Sequence, residues 1–305
     1  MPHKNDRKVT IIGYASCDGA MDQRCNTGPS AIQDLHLVDR LSQMNFNVSW
    51  DKNIVSDHQP MDSSDTLSVI SNNCKELARQ TKSAVEENSQ IVVIGGDHSC
   101  AIGTWSGVHS ALKNESANAK LGLIWIDAHM DSHTADTSKS GAIHGMPVAT
   151  LLGHGEPSLC NIENTAPKIL PENLCLVGIR SYEPEEKTLL DHLGVKVFYM
   201  SDIETQGIES ILSQAQAHIS KNSTHIGISF DLDAIDPQDA PGVGSPERDG
   251  INGESLIKAL KACDFQKNFL GIEITELNSS RDHVDKTAKL AIEAILACLP
   301  QSENA

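Results

Sequence analysis

Three short segments of this sequence carry side chains that bind metals or move protons, each directly behind an apolar run. Asp127-Ala128-His129-Met130-Asp131 follows Leu121–Ile126. Residues two apart in an extended chain share a face, so Asp127, His129 and Asp131 are expected to converge. Ser229-Phe230-Asp231-Leu232-Asp233-Ala234-Ile235-Asp236-Pro237 closes a second run. Asp231 and Asp233 share a face there, while Asp236 reads as a turn residue before Pro237. Two like charges held together at a strand end are costly unless a cation neutralises them. Gly95-Gly96-Asp97-His98-Ser99 follows Ile91–Ile94, and its glycines allow a sharp turn that brings His98 over the sheet edge. Each segment alone also has a plainer reading: a structural histidine, a capping aspartate, a pair of turn aspartates.

Together His98, Asp127, His129, Asp131, Asp231 and Asp233 supply two imidazoles and four carboxylates. That exceeds one tetrahedral zinc and suits two divalent ions bridged by shared carboxylates. Oxygen-rich ligation favours Mn²⁺ over zinc. Two such ions with a water between them generate hydroxide near neutral pH.

The elements that must position these residues are short runs rich in Val and Ile, without the alternation of a half-exposed strand: Val9–Tyr14, Ile91–Ile94, Leu121–Asp127, Leu174–Gly178, Val195–Tyr199, His225–Asp231 and Phe269–Ile274. They read as buried parallel strands. Helical spacing occupies Ser30–Met44, Thr66–Val85, Ile208–Ile219, Gly253–Cys263 and Asp282–Cys298. The alternation predicts an α/β fold, three layers (α/β/α) around a mostly parallel sheet, as one domain over residues 1–305. Ligands collect beyond the carboxyl ends of strands in such folds, where all three segments sit.

Composition narrows the partners. Lys and Arg number 24 against 41 Asp and Glu, a formal charge of −17. Nucleic-acid and anionic membrane surfaces are poor partners for it; a small cationic substrate is compatible. The eight cysteines form no C-x-x-C pair, which reads as reduced core thiols in a cytoplasmic protein. Cys17 and Cys25 flank a loop that is expected to border the site, and spacing leaves open whether they pair. MPHKNDRKVT lacks the apolar core of a secretory signal, and the tail Gln301–Ala305 gives no assembly signal. Trp105 and Trp125 read as core.

The segments GGDHS, DAHMD and SFDLDAIDP, in this order and spacing, resemble the metal-binding signatures of the ureohydrolases, the arginase and agmatinase superfamily, over about Val9 to Leu299. The resemblance implies a binuclear manganese centre, with His98, Asp127, Asp131 and Asp231 at one ion and His129, Asp127, Asp231 and Asp233 at the other. The Ser140-Gly141, His144-Gly145 and Pro147 pattern looks like the arginases and unlike the shorter agmatinase loop. It implies that Ser140 helps hold a substrate α-carboxylate and that His144 shuttles protons. Gly178-Ile179-Arg180 followed by Glu183-Pro184 matches the region that holds the α-amino group, and Glu276 matches the guanidinium-binding glutamate. Asp131 would carry a proton to the leaving amine. His133, Ala142 and Glu183 depart from the usual Asn, Asn and Asp, and His133 could still donate to a carboxylate. The implied reaction is hydrolysis of L-arginine to L-ornithine and urea by a homo-oligomer, trimer or hexamer. Agmatinase and guanidinobutyrase chemistry remain as alternatives. A zinc deacetylase would use one metal, and a metallophosphatase would need a GNH-type motif that is absent.

Overall fold

The computed structural model describes residues 7–56, 62–263, 265 and 268–300. Residues 1–6 and 301–305, read above for targeting and assembly, lie outside them.

Nine strands form one parallel sheet: β1 Lys8–Ala15, β2 Asn47–Trp50, β3 Ile54–Val55, β4 Ser89–Ile94, β5 Leu121–Ile126, β6 Leu174–Ile179, β7 Lys196–Tyr199, β8 His225–Asp231 and β9 Phe269–Thr275. The order is β2-β1-β4-β9-β8-β5-β6-β7, with β3 paired to β1. The helices in chain order are α1 Gly28–Asp34, α2 Leu37–Gln43, α3 Ser63–Glu86, α4 Cys100–Glu115, α5 Pro147–Leu151, α6 Pro157–Cys160, α7 Pro184–Leu193, α8 Met200–Gln206, α9 Ile208–Ile219, α10 Gly253–Ala262 and α11 Lys286–Cys298.

The strands sort their side chains with period two onto both faces. Val92, Ile94, Ile124 and Ile126 pack under α1, α2, α9, α10 and α11. Ile91, Val93, Leu123 and Trp125 pack under α3, α4, α5 and α7. Burial on both faces explains the continuous apolar runs and makes the three-layer α/β/α architecture. In this order β4, β9, β8 and β5 are consecutive neighbours. Segments more than a hundred residues apart in sequence therefore end side by side at the sheet's carboxyl edge.

Some boundaries differ from expectation. The stretch expected as one helix over Ser30–Met44 is two, broken where His36 turns left-handed at φ 58°. The last helix starts at Lys286 rather than Asp282. Val284 and Asp285 have positive φ, and the Asp282 carboxylate accepts the N–H groups of Thr287 and Ala288 instead. Helix α4 carries no polar stripe because it is buried from Cys100 to Leu112. Its Gly103 and Gly107 let it lie against α3: a Cβ at Gly107 would come 2.2 Å from the Ala78 carbonyl oxygen. Trp105 and Trp125 are fully buried, and all eight cysteines are free thiols. Among the described residues no helix is long and apolar enough to cross a membrane.

Candidate metal centre and substrate cavity

The six residues singled out as ligands come together at the ends of β4, β5 and β8. His98 Nδ1 faces three carboxylate oxygens: Asp127 Oδ2 at 3.2 Å, Asp131 Oδ2 at 3.1 Å and Asp231 Oδ2 at 3.1 Å. His129 Nδ1 lies 3.1 Å from Asp233 Oδ2 and 3.5 Å from Asp127 Oδ1. Asp127 thus belongs to two groups able to hold an ion, one with His98 and Asp131 and the other with His129 and Asp233.

The cause of this convergence differs from strand alternation. β5 ends at Ile126, and the chain then turns, with Asp131 left-handed at φ 48°. Asp233 likewise sits in a short 3-10 turn after β8, its N–H bonded to Asp231 Oδ1 at 2.9 Å. A non-glycine residue held at positive φ costs on the order of 1 kcal/mol or more, and such strain collects at functional sites. Asp236 is a turn residue as expected, accepting from the N–H groups of Gln238 and Gly250.

The donor set fits divalent cations. Four aspartates are buried here, and burial together with neighbouring carboxylates raises the pKa of Asp131, to about 6, and that of Asp231. Such a cluster needs positive charge. His98 Nδ1 is fully buried and makes no aligned hydrogen bond although three oxygens surround it. The opposite nitrogen explains why. His98 Nε2 is 2.9 Å from Ser229 Oγ, whose own hydrogen goes to Glu273 Oε1 at 2.8 Å. Ser229 therefore accepts from Nε2–H, which leaves Nδ1 with a lone pair for a metal. The His98 ring stacks on Trp125 at 4.2 Å, and Trp125 Nε1 donates to Asp127 Oδ2 at 2.9 Å.

Beside this centre lies a cavity of about 150 Å³, lined by the acidic cluster, His133, His144, Glu183, Glu186, Ser245 and Glu276. Glu276, left-handed at φ 64° after β9, is fixed by His98 N–H and His144 Nδ1, both 3.0 Å from Oε1. Burial lowers the pKa of His144, but the Glu276 hydrogen bond and charge outweigh it and hold the imidazole at about 9. At the far end His133 Nε2 sits 2.9 Å from Glu183 Oε2 and 3.5 Å from Glu186 Oε2. Ser140 is not brought in. It stays on an exposed loop, where its hydroxyl accepts from the Ala142 N–H.

Several residues at the site carried no motif. Glu186 reaches the cavity because it accepts the Glu183 N–H at the start of α7 and the Ser132 N–H, and burial pushes it up to about 7. Glu247 stands 3.7 Å from His129 Nε2. Glu273 carries a signal in the sequence itself. A carboxylate inside a strand buried on both faces must have partners, and it has Ser229, Thr104 and Trp105.

Comparison with known proteins agrees with this geometry. The profile described as the Arginase family matches residues 7–299. The arginase of Bacillus subtilis (strain 168) is 36% identical over 298 residues, covering 96% of this chain and 98% of the relative. The arginase of Brevibacillus brevis is 35% identical, covering 94% and 96%. A crystal structure of arginase from Bacillus subtilis superposes with a TM-score of 0.89 at 35% identity, over 97% of this chain and 100% of that one. Arginase from Entamoeba histolytica, solved in complex with L-ornithine, gives 0.87 at 28% identity over 96% and 97%. The chain belongs to the arginase family, whose members are metal-dependent amidinohydrolases.

Proposed function

We propose that the protein is an arginase, hydrolysing L-arginine to L-ornithine and urea with two Mn²⁺ ions, and that residues 1–305 form one catalytic domain. The observation that carries this reading is the placement of Glu276, an anchored carboxylate, in the same small cavity as His129, Asp131, Asp231 and Asp233, four of the six ligand residues. A single-zinc deacetylase has no use for the second group around His129 and Asp233. The oxygen-rich donor set supports manganese over zinc.

His98, Asp127, Asp131 and Asp231 would hold one ion, and His129, Asp127, Asp231 and Asp233 the other. When bound, the ions supply a water acidic enough to act near neutral pH. Glu276 takes the guanidinium by charge-assisted hydrogen bonds and sets its carbon beside the aspartates. Asp131 takes a proton from the attacking water and gives it to the leaving amine. The carbon–nitrogen bond breaks, urea leaves with the water's oxygen, and ornithine leaves as an ammonium. His144 hands the second water proton, shed as the urea carbonyl forms, to the departing amine, so no net proton is released. His133, Glu183 and Ser140 receive the amino-acid end, Ser140 after movement of its loop. The reduced cysteines support a cytoplasmic setting, and the resemblance supports a trimer or hexamer. The test is urea release from L-arginine compared with agmatine and 4-guanidinobutyrate.

A pH dependence follows. Protonated His144 and the substrate guanidinium are both cations competing for Glu276. The imidazole holds its proton up to about pH 9. Below that value the competent, deprotonated fraction grows about tenfold per pH unit. The expected result is a kcat/KM that rises with pH and levels near pH 9, with the rise flattened in His144→Asn. An unaltered profile in the variant would assign the titration to another group.

A further inference from the structure

Glu273 stands in the middle of the sheet, where a carboxylate is costly unless it has partners. It lies on β9, paired with Ser229 of β8 and Val93 of β4, and it is fully buried. Four side chains donate to it. Oε1 accepts from Ser229 Oγ at 2.8 Å and from Trp105 Nε1 at 3.2 Å. Oε2 accepts from Thr104 Oγ1 and from Cys100 Sγ, the sulfur at 3.4 Å. Packing holds these donors in place. Helix α4 supplies Cys100, Thr104 and Trp105 from successive turns, and Gly227 leaves room for the indole, since a Cβ there would come 2.2 Å from the Trp105 ring. Ser229 joins Glu273 to the metal centre: its Oγ is also 2.9 Å from His98 Nε2.

We propose that Glu273 is a positioning residue for the ion held by His98: it fixes the direction of the hydrogen-bond chain from His98 through Ser229 and so keeps Nδ1 open to that ion. With an ion on Nδ1 the imidazole carries its only proton on Nε2, and Ser229 must accept it. The serine hydrogen then needs an acceptor of its own, which Glu273 Oε1 supplies. Without that acceptor the chain runs the other way. Ser229 donates to Nε2, and the imidazole proton moves to Nδ1, where the Asp127, Asp131 and Asp231 oxygens lie 3.2, 3.1 and 3.1 Å away. The reversed chain suits the metal-free protein and opposes the ion, so loss of Glu273 lowers the affinity for it. The other ion is spared, because His129 faces Asp233 and Glu247 and not Ser229. Direction is separable from charge. In Glu273→Gln the amide oxygen must stay on the Oε1 side, since Trp105 Nε1 can only donate. The NH₂ then falls beside Thr104 Oγ1, which accepts it by turning its own hydrogen to the Cys100 carbonyl oxygen at 3.3 Å. The inference rests on the two-ion reading of the centre and not on the identity of the substrate.

The experiment titrates Mn²⁺ by calorimetry into the metal-free wild type, Glu273→Met, Glu273→Gln and Ser229→Ala. The wild type should take up two ions. In Glu273→Met and in Ser229→Ala one dissociation constant is expected to rise roughly ten- to a hundredfold, while the other stays within about threefold. Glu273→Gln keeps both within about threefold of the wild type. In a His98→Asn background, which removes that ion's imidazole, Glu273→Met should leave the remaining constant unmoved, whereas a general packing defect would weaken it further. Both constants unchanged in Glu273→Met, both weakened alike, or a further loss in the His98→Asn background each overturns the proposal. A loss in Glu273→Gln equal to that in Glu273→Met also overturns it, since charge and not direction would then be at work. Should Glu273→Met not fold, Ser229→Ala cuts the same chain and leaves Glu273 its other three donors, and unchanged constants there overturn the proposal as well. Fewer than two ions on the wild type sinks the two-ion reading, and this inference with it.

Discussion

Replacing Glu276 by glutamine is expected to lower kcat/KM by about a thousandfold without changing metal content. The substitution keeps the shape of the side chain and removes its charge. A buried hydrogen bond to a charged partner is worth roughly 1.5–3 kcal/mol, and the substrate guanidinium makes more than one. Two such bonds account for about 4 kcal/mol, which is about a thousandfold. The amide creates a second conflict. Glu276 Oε1 accepts from both His98 N–H and His144 Nδ1, and Oε2 accepts from Cys25. An NH₂ placed on either side faces a donor, so the side chain turns away from the geometry that takes the substrate. None of the six ligands changes, so elemental analysis should match the wild type. A kcat/KM within a few-fold of wild type would remove Glu276 from the guanidinium site.

Asp127→Asn is expected to strip the centre. Asp127 belongs to both groups of side chains able to hold an ion, and with Asp231 it is one of two ligands assigned to both ions. Trp125 Nε1 donates to its Oδ2 at 2.9 Å, and the His129 N–H donates to its Oδ1 at 2.7 Å. An asparagine amide opposes one of these donors and offers only one ligand oxygen. Bound manganese should fall from two ions per chain to one or fewer, and activity by about a thousandfold or more. A readout independent of turnover separates this from a damaged fold. Ions that bind only the folded protein stabilise it, by about 2.7 kcal/mol at a hundred times their dissociation constant. Mn²⁺ should therefore raise the melting temperature of the wild type and scarcely move that of the variant. Full metal content in Asp127→Asn would contradict the shared-ligand arrangement.

Much of the centre was legible because metal ligands must follow strand ends at short, fixed spacing. Asp127, His129, Asp131, Asp231 and Asp233 stood out for that reason, although the turn geometry that gathers them was not visible in the spacing. Strand order was not legible. Nothing local says that β9 inserts between β4 and β8, yet that insertion sets Glu276 beside His98. Residues that arrive by tertiary packing alone, such as Glu186 and Glu247, have no sequence spacing to betray them. Helix α4 is expected around Trp105, but its bounds were not legible because a helix buried on all sides shows no stripe. The edge strands β2 and β3 are too short for a pattern.

The most direct measurement is product analysis of the manganese-loaded protein with L-arginine, agmatine and 4-guanidinobutyrate in parallel. An arginase should release urea and L-ornithine in equal amounts from L-arginine, with kcat/KM roughly a hundredfold above that for the other two. Urea from agmatine or 4-guanidinobutyrate but not from L-arginine, or from none of the three, would contradict it.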